Sequence, residues 1–203
     1  MASFSVDVLP NPAPNHDTLL RYSARLKALR LRSLKDDTKS FISKYESEVD
    51  QPEDFWLNRL RSDRAFHLVL ARESTESSSA TLLQKEWVGF VVIIAPARGK
   101  VQNTGQPSSS EWEMAALYIE PEVRGQGLGE RLVRATIDYV KGHGFINENE
   151  TQCCLTSVRH GNDNALWLYQ RLGFRVIEPN AHIEKEGMNY LATKLRIDFQ
   201  RNP

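Results

Sequence analysis

The stretch LYIEPEVRGQGLG, residues 117–129, is the most informative segment of this chain. An apolar, strand-like run ends at Pro121 and gives way to a basic turn with glycines at alternate positions. Such glycines let the backbone turn tightly and approach a ligand, so that several N–H groups point into one concavity. The helix predicted to follow adds its positive dipole end, and Arg124 adds a cation that can hold a phosphate. The stretch predicts a pyrophosphate site; the alternative is a tight connection whose glycines serve only packing.

Two common phosphate-binding loops do not fit this turn. The dinucleotide pattern G-x-G-x-x-G places a glycine where Glu130 stands, and the nucleoside triphosphate loop needs G-K-[S/T], whereas Glu130 and Arg131 follow Gly129. Residues 124–129, RGQGLG, instead match in full the pattern [RQ]-x-x-G-x-[GA] of the acyl-coenzyme A loop of acetyltransferases. The turn therefore resembles a loop that binds the pyrophosphate of acetyl-CoA.

A second segment, VRHGNDNALWLYQRLGF at residues 158–174, joins a predicted strand to a predicted helix. Asn162 and Tyr169 are seven residues apart, which is about two helical turns or roughly 10 Å, so both can project from one side of the helix. An asparagine there could hold an amide-bearing arm while the phenol lies near its reactive end. The alternative is that Asn162 caps the helix and Tyr169 is a core aromatic residue.

The two segments, in this order and separated by one helix and one strand, resemble the GNAT (GCN5-related) N-acetyltransferase family. The resemblance implies an α/β fold with a mixed, mainly antiparallel, twisted sheet flanked by helices. The sheet should open between the strand before the phosphate loop and the strand at Leu155. The implied activity is direct transfer of acetyl from acetyl-CoA to a primary amine of a small molecule, peptide or protein. The alternative function is an acyl-CoA-binding sensor of the same fold without catalysis.

The resemblance also implies roles for individual residues. Tyr169 would act as the general acid that protonates the departing thiolate. Acetyl-CoA would lie along the strand edge, the glycine turn and the second segment, and we expect it to contact Leu117, Tyr118, Ile119, Arg124, Gly125, Gln126, Gly127, Leu128, Gly129 and Asn162. The acceptor pocket should be lined by residues 31–56 and by the loops at 97–110 and 179–187.

The general base is less clearly marked than the acid. The branch of the family that acetylates ribosomal protein N-termini has a glutamate five residues before the asparagine, but Ser157 stands there in this chain. In members similar to histone acetyltransferases the base lies early on the strand before the phosphate loop, which corresponds to Glu113. Strand alternation predicts that one face holds Glu113, Ala115, Leu117 and Ile119. The alternative for Glu113 is an exposed glutamate at a strand end.

Composition narrows the remaining possibilities. With 203 residues and 40% hydrophobic content, the chain suffices for one domain, residues 1–203. Its 26 basic and 26 acidic side chains give no net charge, which favours neither nucleic acid nor an anionic membrane as a partner. The adjacent Cys153 and Cys154 predict neither a mutual disulfide nor a metal site, and we expect reduced, intracellular thiols. No segment is typical of a signal peptide or a membrane span, so we expect a cytoplasmic location, with the nucleus and the oligomeric state left open.

Hydrophobic periodicity predicts the elements around the two segments. Strands are expected at residues 3–9, 66–71, 87–94, 112–119, 153–158, 174–177 and 188–197, with a hairpin joining the second and third. Helices are expected from Asp17 to Leu31, from Asp36 through Tyr45, after Pro52, along the stripe that begins at Leu128, and over residues 163–172.

Overall fold

The computed structural model describes residues 2–73, 81–97, 109–143 and 151–199. These residues form seven strands and five α-helices, together with a 3₁₀ turn at Pro121–Val123. In chain order the elements are β1 Phe4–Val8, α1 His16–Asp36, α2 Tyr45–Glu48, α3 Glu53–Arg61, β2 Ala65–Arg72, β3 Glu86–Ile94, β4 Ser109–Ile119, α4 Leu128–His143, β5 Thr151–Arg159, α5 Asp163–Arg171, β6 Arg175–Lys185 and β7 Met188–Phe199.

The strands form one sheet in the order β1-β2-β3-β4-β5-β7-β6. Every neighbouring pair is antiparallel except β4 and β5, which run parallel. The predicted mixed, mainly antiparallel sheet and the β2–β3 hairpin are therefore confirmed. β6 extends well beyond the four residues predicted for it because it pairs along most of β7. Most of the predicted loop at 97–110 lies outside the described residues, and Ser109 and Ser110 belong to β4.

Helices cover both faces of the sheet and divide the core into two clusters. On one face α4 buries the stripe predicted from its sequence, while Glu130 and Arg134 pair at 2.8 Å on its outer side. This face is completed by α5, from which Tyr169 enters the same cluster. On the other face α1 and α3 pack through Leu26, Leu29 and Leu60 against β2 and β3. Apolar spacing along each helix thus fixes which side of the sheet it covers.

Helix α1 begins at a cap in which the Asn15 side chain accepts a hydrogen bond from Thr18 N–H at 2.8 Å. The helix predicted from Asp36 through Tyr45 is wrong, since residues 37–44 are not helical and only the short α2 follows. Nη1 of Arg159 donates to the carbonyl oxygens of Thr38 and Phe41, at 3.0 Å each. A side chain from the sheet therefore binds carbonyls that a helix would have used for its own hydrogen bonds.

Strand β4 contains a bulge at Ala116, whose φ of +55° is unusual for a residue other than glycine. The register with β3 shifts at this point. The extra residue changes which face the side chains take. Met114 before it and Leu117 and Ile119 after it all pack in the cluster beneath α4. The prediction that one face holds Glu113, Ala115, Leu117 and Ile119 is therefore wrong, because alternation does not continue through a bulge.

Candidate active site

The glycine turn between β4 and α4 forms an open cradle. Gly125 and Gly127 have φ values of +76° and +75°, and a Cβ atom at either position would meet nothing within 4 Å. Alternating left-handed residues aim successive N–H groups into one concavity. The carbonyl of Gly127 accepts the bond from Arg131 N–H at 3.0 Å, so the amides of Leu128 and Gly129 belong to the first turn, which lacks intrahelical partners. The geometry suits an anion.

Arg124 lies beside this cradle but is held by neighbouring protein groups. Its Nε donates to the carbonyl of Ile119 at 2.8 Å, and its Nη2 forms an ion pair with the carboxylate of Asp37. Its guanidinium carbon lies 5.7 Å from the centroid of the Tyr118 ring. The paired hydrogen bonds expected toward a phosphate are thus made to Asp37 in this structure, and Arg124 ties the end of α1 to the entrance of the phosphate loop.

Strands β4 and β5 separate at the point where the resemblance places the cofactor. Their parallel pairing runs from Ser109↔Thr151 to Met114↔Thr156 and ends there. The Thr156 hydroxyl donates to the carbonyl of Met114 at 3.0 Å and so closes the last rung. Beyond this rung, the part of β4 that leads to the glycine turn has no β5 partner. The predicted opening in the sheet is therefore present, and it begins beside Thr156.

Backbone groups of β4 face this opening. Glu120 N–H donates to Val88 O on β3 at 2.8 Å, so the neighbouring residue, Ile119, points its backbone groups to the opposite edge. Leu117 has the same orientation as Ile119 by alternation. Tyr118 differs, since its side chain enters the α1 cluster and its hydroxyl donates to Asp36 at 3.1 Å. Of the three strand residues predicted to bind the cofactor, Leu117 and Ile119 direct backbone groups to the opening, where the Ile119 carbonyl already accepts the hydrogen bond from Arg124.

The phenol of Tyr169 lies on the α4 face, close to the closing rung. Its ring is buried and contacts Phe174 edge-on at a centroid separation of 5.3 Å. Burial raises the pKa of Tyr169 to about 12, and the nearby Thr156 hydroxyl opposes part of this rise. The phenol is therefore a protonated hydrogen-bond donor at neutral pH. The residue is both a core aromatic and a donor beside the opening, so the two interpretations of Tyr169 are compatible.

Asn162 is the cap of α5. Its side-chain oxygen accepts a hydrogen bond from Ala165 N–H at 3.3 Å, and Gly161 before it has a φ of +89°. The side chain is only partly buried, so its amide N–H groups are available to a further partner. Capping positions Asn162 without using its donor groups.

A cavity of about 650 Å³ lies on the opposite face of the sheet, between the helical segment after β1 and the strands. Glu113 and Ser157 line it on either side of the last β4–β5 rung, and Ala115 and Ala116 line it at the bulge. Its walls include Phe41, from the segment 31–56, and Ile183, from 179–187, two of the three regions predicted to line an acceptor pocket. That this cavity is the acceptor pocket stays a prediction. The cavity therefore lies on the α1 side of the last β4–β5 rung, whereas Tyr169 belongs to the cluster on the α4 side.

Sequence patterns missed several polar residues of this cavity. Arg30 lies in the middle of a helix, Arg159 ends a strand, and Lys185 ends a long hairpin strand, so each looks like an ordinary surface charge in the sequence. His67 is likewise hidden within an apolar strand. Burial, followed by the charge of Arg59, lowers the pKa of His67 to about 4, so that its imidazole is neutral. The one sequence feature that could have indicated these cavity residues is an isolated histidine or arginine within an apolar run.

Other chemistries find little support in the described residues. Burial raises the pKa of Cys153 to about 11 and of Cys154 to about 12, so both thiols are protonated and poor nucleophiles. The part of the chain that the structure describes contains no cluster of three or more His, Cys, Asp or Glu side chains arranged to hold a metal ion. Within the same residues, no helix has the length and apolar character needed to span a bilayer.

Comparison with known proteins agrees with this site. The model of the Acetyltransferase (GNAT) family matches residues 31–174. The peptidyl-lysine N-acetyltransferase YjaB of Salmonella typhimurium is 27% identical over 145 residues, which cover 71% of this chain and 81% of that protein. The N-alpha-acetyltransferase RimI of Mycobacterium tuberculosis is 31% identical over 75 residues, which cover 37% of this chain and 42% of that protein.

Solved structures share the fold. The structure of Arabidopsis thaliana NAA60 in complex with acetyl-CoA has a TM-score of 0.63 at 13% identity and covers 97% of this chain and 98% of that one. An acetyltransferase of the GNAT family from Streptococcus pneumoniae has a TM-score of 0.60 at 20% identity, with 97% and 100% covered. Because the family match includes both quoted segments and most of the chain, the protein belongs to the GNAT acetyltransferase family and is an acetyl-CoA-dependent N-acetyltransferase rather than a sensor without catalysis.

Proposed function

We propose that the protein transfers acetyl directly from acetyl-CoA to a primary amine that enters through the cavity on the α1 face. The arrangement around the last β4–β5 rung supports this above all. The cavity lies on one side of the sheet there, Tyr169 lies on the other, and the unpaired part of β4 leads to the glycine cradle. An acetyl group held in the opening is reached by the amine from one face of the sheet. Its sulfur then faces the donor on the other.

The cofactor would be held mainly by backbone groups. The cradle amides of residues 125–129 bind the pyrophosphate, and the first turn of α4 adds its positive dipole end. The pantetheine arm lies along the free edge of β4 and exchanges hydrogen bonds with Leu117 and Ile119 as an added strand would. The exposed amide N–H groups of Asn162 lie at the start of α5 and can donate to a carbonyl of the arm.

Tyr169 would act on the leaving sulfur. A phenol of pKa about 12 is a weaker acid than an alkyl thiol, whose pKa is near 8.5, so proton transfer from the phenol even to the free thiolate is uphill. The phenol therefore contributes first as a hydrogen-bond donor in a dry site, where such a bond stabilises developing negative charge strongly. The proton follows as the C–S bond breaks.

Glu113 would accept the proton that the incoming ammonium must lose. It lies one residue before the closing rung, and it lines the cavity from which the amine arrives. The amine nitrogen then bonds to the acetyl carbon and releases its second proton to solvent, the C–S bond breaks, and the sulfur takes the proton of Tyr169, whose phenolate is reprotonated from solvent. Acetylated amine and coenzyme A are the products, and no covalent enzyme intermediate forms.

The direct test combines binding and turnover. Isothermal titration should detect one acetyl-CoA site per chain, and absence of binding would overturn the proposal. Mass spectrometry should then detect acetylated product from a panel of lysine peptides, N-terminal peptides and small amines.

Glu113→Gln should lower kcat about a hundredfold and leave acetyl-CoA affinity within twofold, because a base acts only on the acceptor. Glu111→Gln, an exposed glutamate two residues earlier on β4, is the matched control.

A further inference from the structure

Positive charge dominates the wall of the acceptor cavity. Glu113 supplies the one carboxylate that lines it within the described part of the chain, whereas the basic side chains that line it are Arg30, Arg59, Arg159 and Lys185. A primary amine arrives as a cation, and like charges in a partly enclosed site repel each other. A cavity built only for a simple cationic amine would not have such a wall. The acceptor must therefore bring negative charge of its own.

Glu48 does not neutralise the inner part of this wall. Arg30 donates to it from Nε at 3.1 Å and from Nη2 at 2.7 Å, and Nη2 of Arg59 lies 3.1 Å from the same carboxylate. Two guanidinium groups share one carboxylate, so a net positive charge remains. The Arg30 side chain is only 8% exposed, and its Nη1 has no hydrogen-bond partner among the described residues. The Arg30 guanidinium carbon also lies 5.0 Å from the centroid of the Phe41 ring, which adds no negative charge.

The outer part of the wall is held by neutral groups. Arg159 donates to the carbonyl oxygens of Thr38 and Phe41, and its guanidinium carbon lies 4.9 Å from the centroid of the Tyr190 ring. Lys185 Nζ donates to the hydroxyl of Ser43. Neutral oxygen atoms and an aromatic face fix the position of a cation without cancelling its charge. Both side chains are thus oriented before any substrate binds.

We propose that the acceptor is an amine that also carries a carboxylate, and that Arg159 and Lys185 bind this carboxylate while Glu113 receives the amine. This inference rests on the proposed function, because it assigns the substrate of that same site. Glu113 pairs with Leu155 one rung before the closing rung, and Arg159 follows Leu155 by four residues, a rise of roughly 13 Å along the strand. The amine and the carboxylate are therefore joined by several bonds, as in an ω-amino acid or a short peptide with an acidic residue.

Acceptor pairs that differ only in this charge test the inference. One arm compares 4-aminobutanoate, 5-aminopentanoate and 6-aminohexanoate with their carboxamides, in which the distant amide leaves the amine pKa almost unchanged. The other arm compares amide-capped peptides with Glu or Gln at the second position. We expect the carboxylate member to have a kcat/KM at least about tenfold higher, mainly through a lower KM, since the contact is remote from the reacting atoms. A larger carboxylate-to-carboxamide ratio for the ω-amino acids would identify a small molecule as the acceptor, and a larger Glu-to-Gln ratio for the peptides would identify an acidic peptide.

Substitutions locate the effect. Arg159→Gln and Lys185→Gln should each lower the carboxylate-to-carboxamide ratio severalfold. Because the ratio compares two acceptors of the same variant, a general loss of turnover from a loosened loop at Thr38 cancels. Arg159→Lys keeps the charge and should keep most of the ratio even if the loop at Thr38 loosens. Arg21→Gln removes an exposed arginine of α1 that lies outside the cavity, so it should leave the ratio unchanged.

The possible outcomes separate this inference from the proposed function. Equal turnover of carboxylates and carboxamides, or a ratio that survives both Gln substitutions, overturns the carboxylate site and leaves the acetyl transfer intact. Acetyl-CoA binding without turnover of any acceptor contradicts the proposed function itself. In that case, binding of glutarate, a dicarboxylate without an amine, can still be measured from the NMR chemical shifts of residues that line the cavity. Shift changes that occur in the unmodified protein but not in Arg159→Gln would support the carboxylate site independently of catalysis.

Discussion

Tyr169 illustrates how the surroundings of one side chain set its chemistry. A tyrosine seven residues after an asparagine says little about acidity, because its pKa depends on what surrounds the hydroxyl. In the structure, burial raises the pKa of Tyr169 to about 12, although Thr156 lies close to the phenol. The result is a donor that stays protonated at neutral pH.

Replacing Tyr169 by phenylalanine should lower kcat about a hundredfold, because the leaving sulfur loses its hydrogen-bond donor. The ring would still pack against Phe174, so we expect the free energy of unfolding to fall by only about 1 kcal/mol. Affinity for acetyl-CoA should change less than twofold. Steady-state kinetics and isothermal titration measure these effects, and full activity of Tyr169→Phe would remove the residue from the acid role.

The same raised pKa predicts a one-sided pH profile. An acid must be protonated to act, and Tyr169 remains protonated until the pH approaches 12. Deprotonation of the amine, whose pKa is near 10.4 for an alkylamine, favours attack, so kcat/KM should rise up to pH 10 with no descending limb. A descending limb below pH 10 that disappears in Tyr169→Phe would show that the phenol titrates there and would contradict its raised pKa.

At the scale of elements, β4 and the turn that follows it organise the site. The bulge at Ala116 reverses the side-chain alternation, so Glu113 faces the cavity while Leu117 and Ile119 anchor the strand beneath α4. Three polar contacts then hold the end of α1 against the C-terminal end of β4: Arg124–Asp37, Tyr118–Asp36 and Arg32–Glu120. These contacts couple the phosphate loop to the segment that lines the acceptor cavity.

The glycines of the turn have different functions, which substitution can separate. Gly127→Ala places a Cβ on a residue with a φ of +75°, which should cost about 1–2 kcal/mol of unfolding free energy and intrude on the cradle. Gly129→Ala places its Cβ 3.5 Å from Leu168, an ordinary contact, and should change stability by less than about 0.5 kcal/mol. Urea unfolding measures both. Equal changes in unfolding free energy for the two variants would show that the left-handed conformation of Gly127 is not required.

At the scale of the whole molecule, the sheet separates two chemical environments. The α4 face is apolar and is where we propose the leaving sulfur, and the α1 face carries the charged cavity where we propose the acceptor. Both meet at the Met114–Thr156 rung, since that is where β4 and β5 cease to pair. The fold therefore supports direct transfer between two ligands that approach from opposite sides.

Hydrogen bonding is continuous from β1 to β6, so residues 1–203 should unfold as one domain in a single transition. Differential scanning calorimetry should give equal calorimetric and van't Hoff enthalpies. Acetyl-CoA at a hundred times its dissociation constant should stabilise the protein by about 2.7 kcal/mol and shift the entire transition. Two separate transitions, or a shift of only one part, would instead indicate two domains.

The sequence by itself determined the family, the donor and most elements. The glycine turn and the Asn162–Tyr169 spacing are local, and helix and strand periods depend on near neighbours along the chain. Only the tertiary structure decided the loss of the helix at 37–44, the reversed faces of β4 and the pairing of Arg124 with Asp37. It also decided which cations line the cavity. These features arise from contacts between residues far apart in sequence, where burial and charge depend on neighbours that no local pattern specifies.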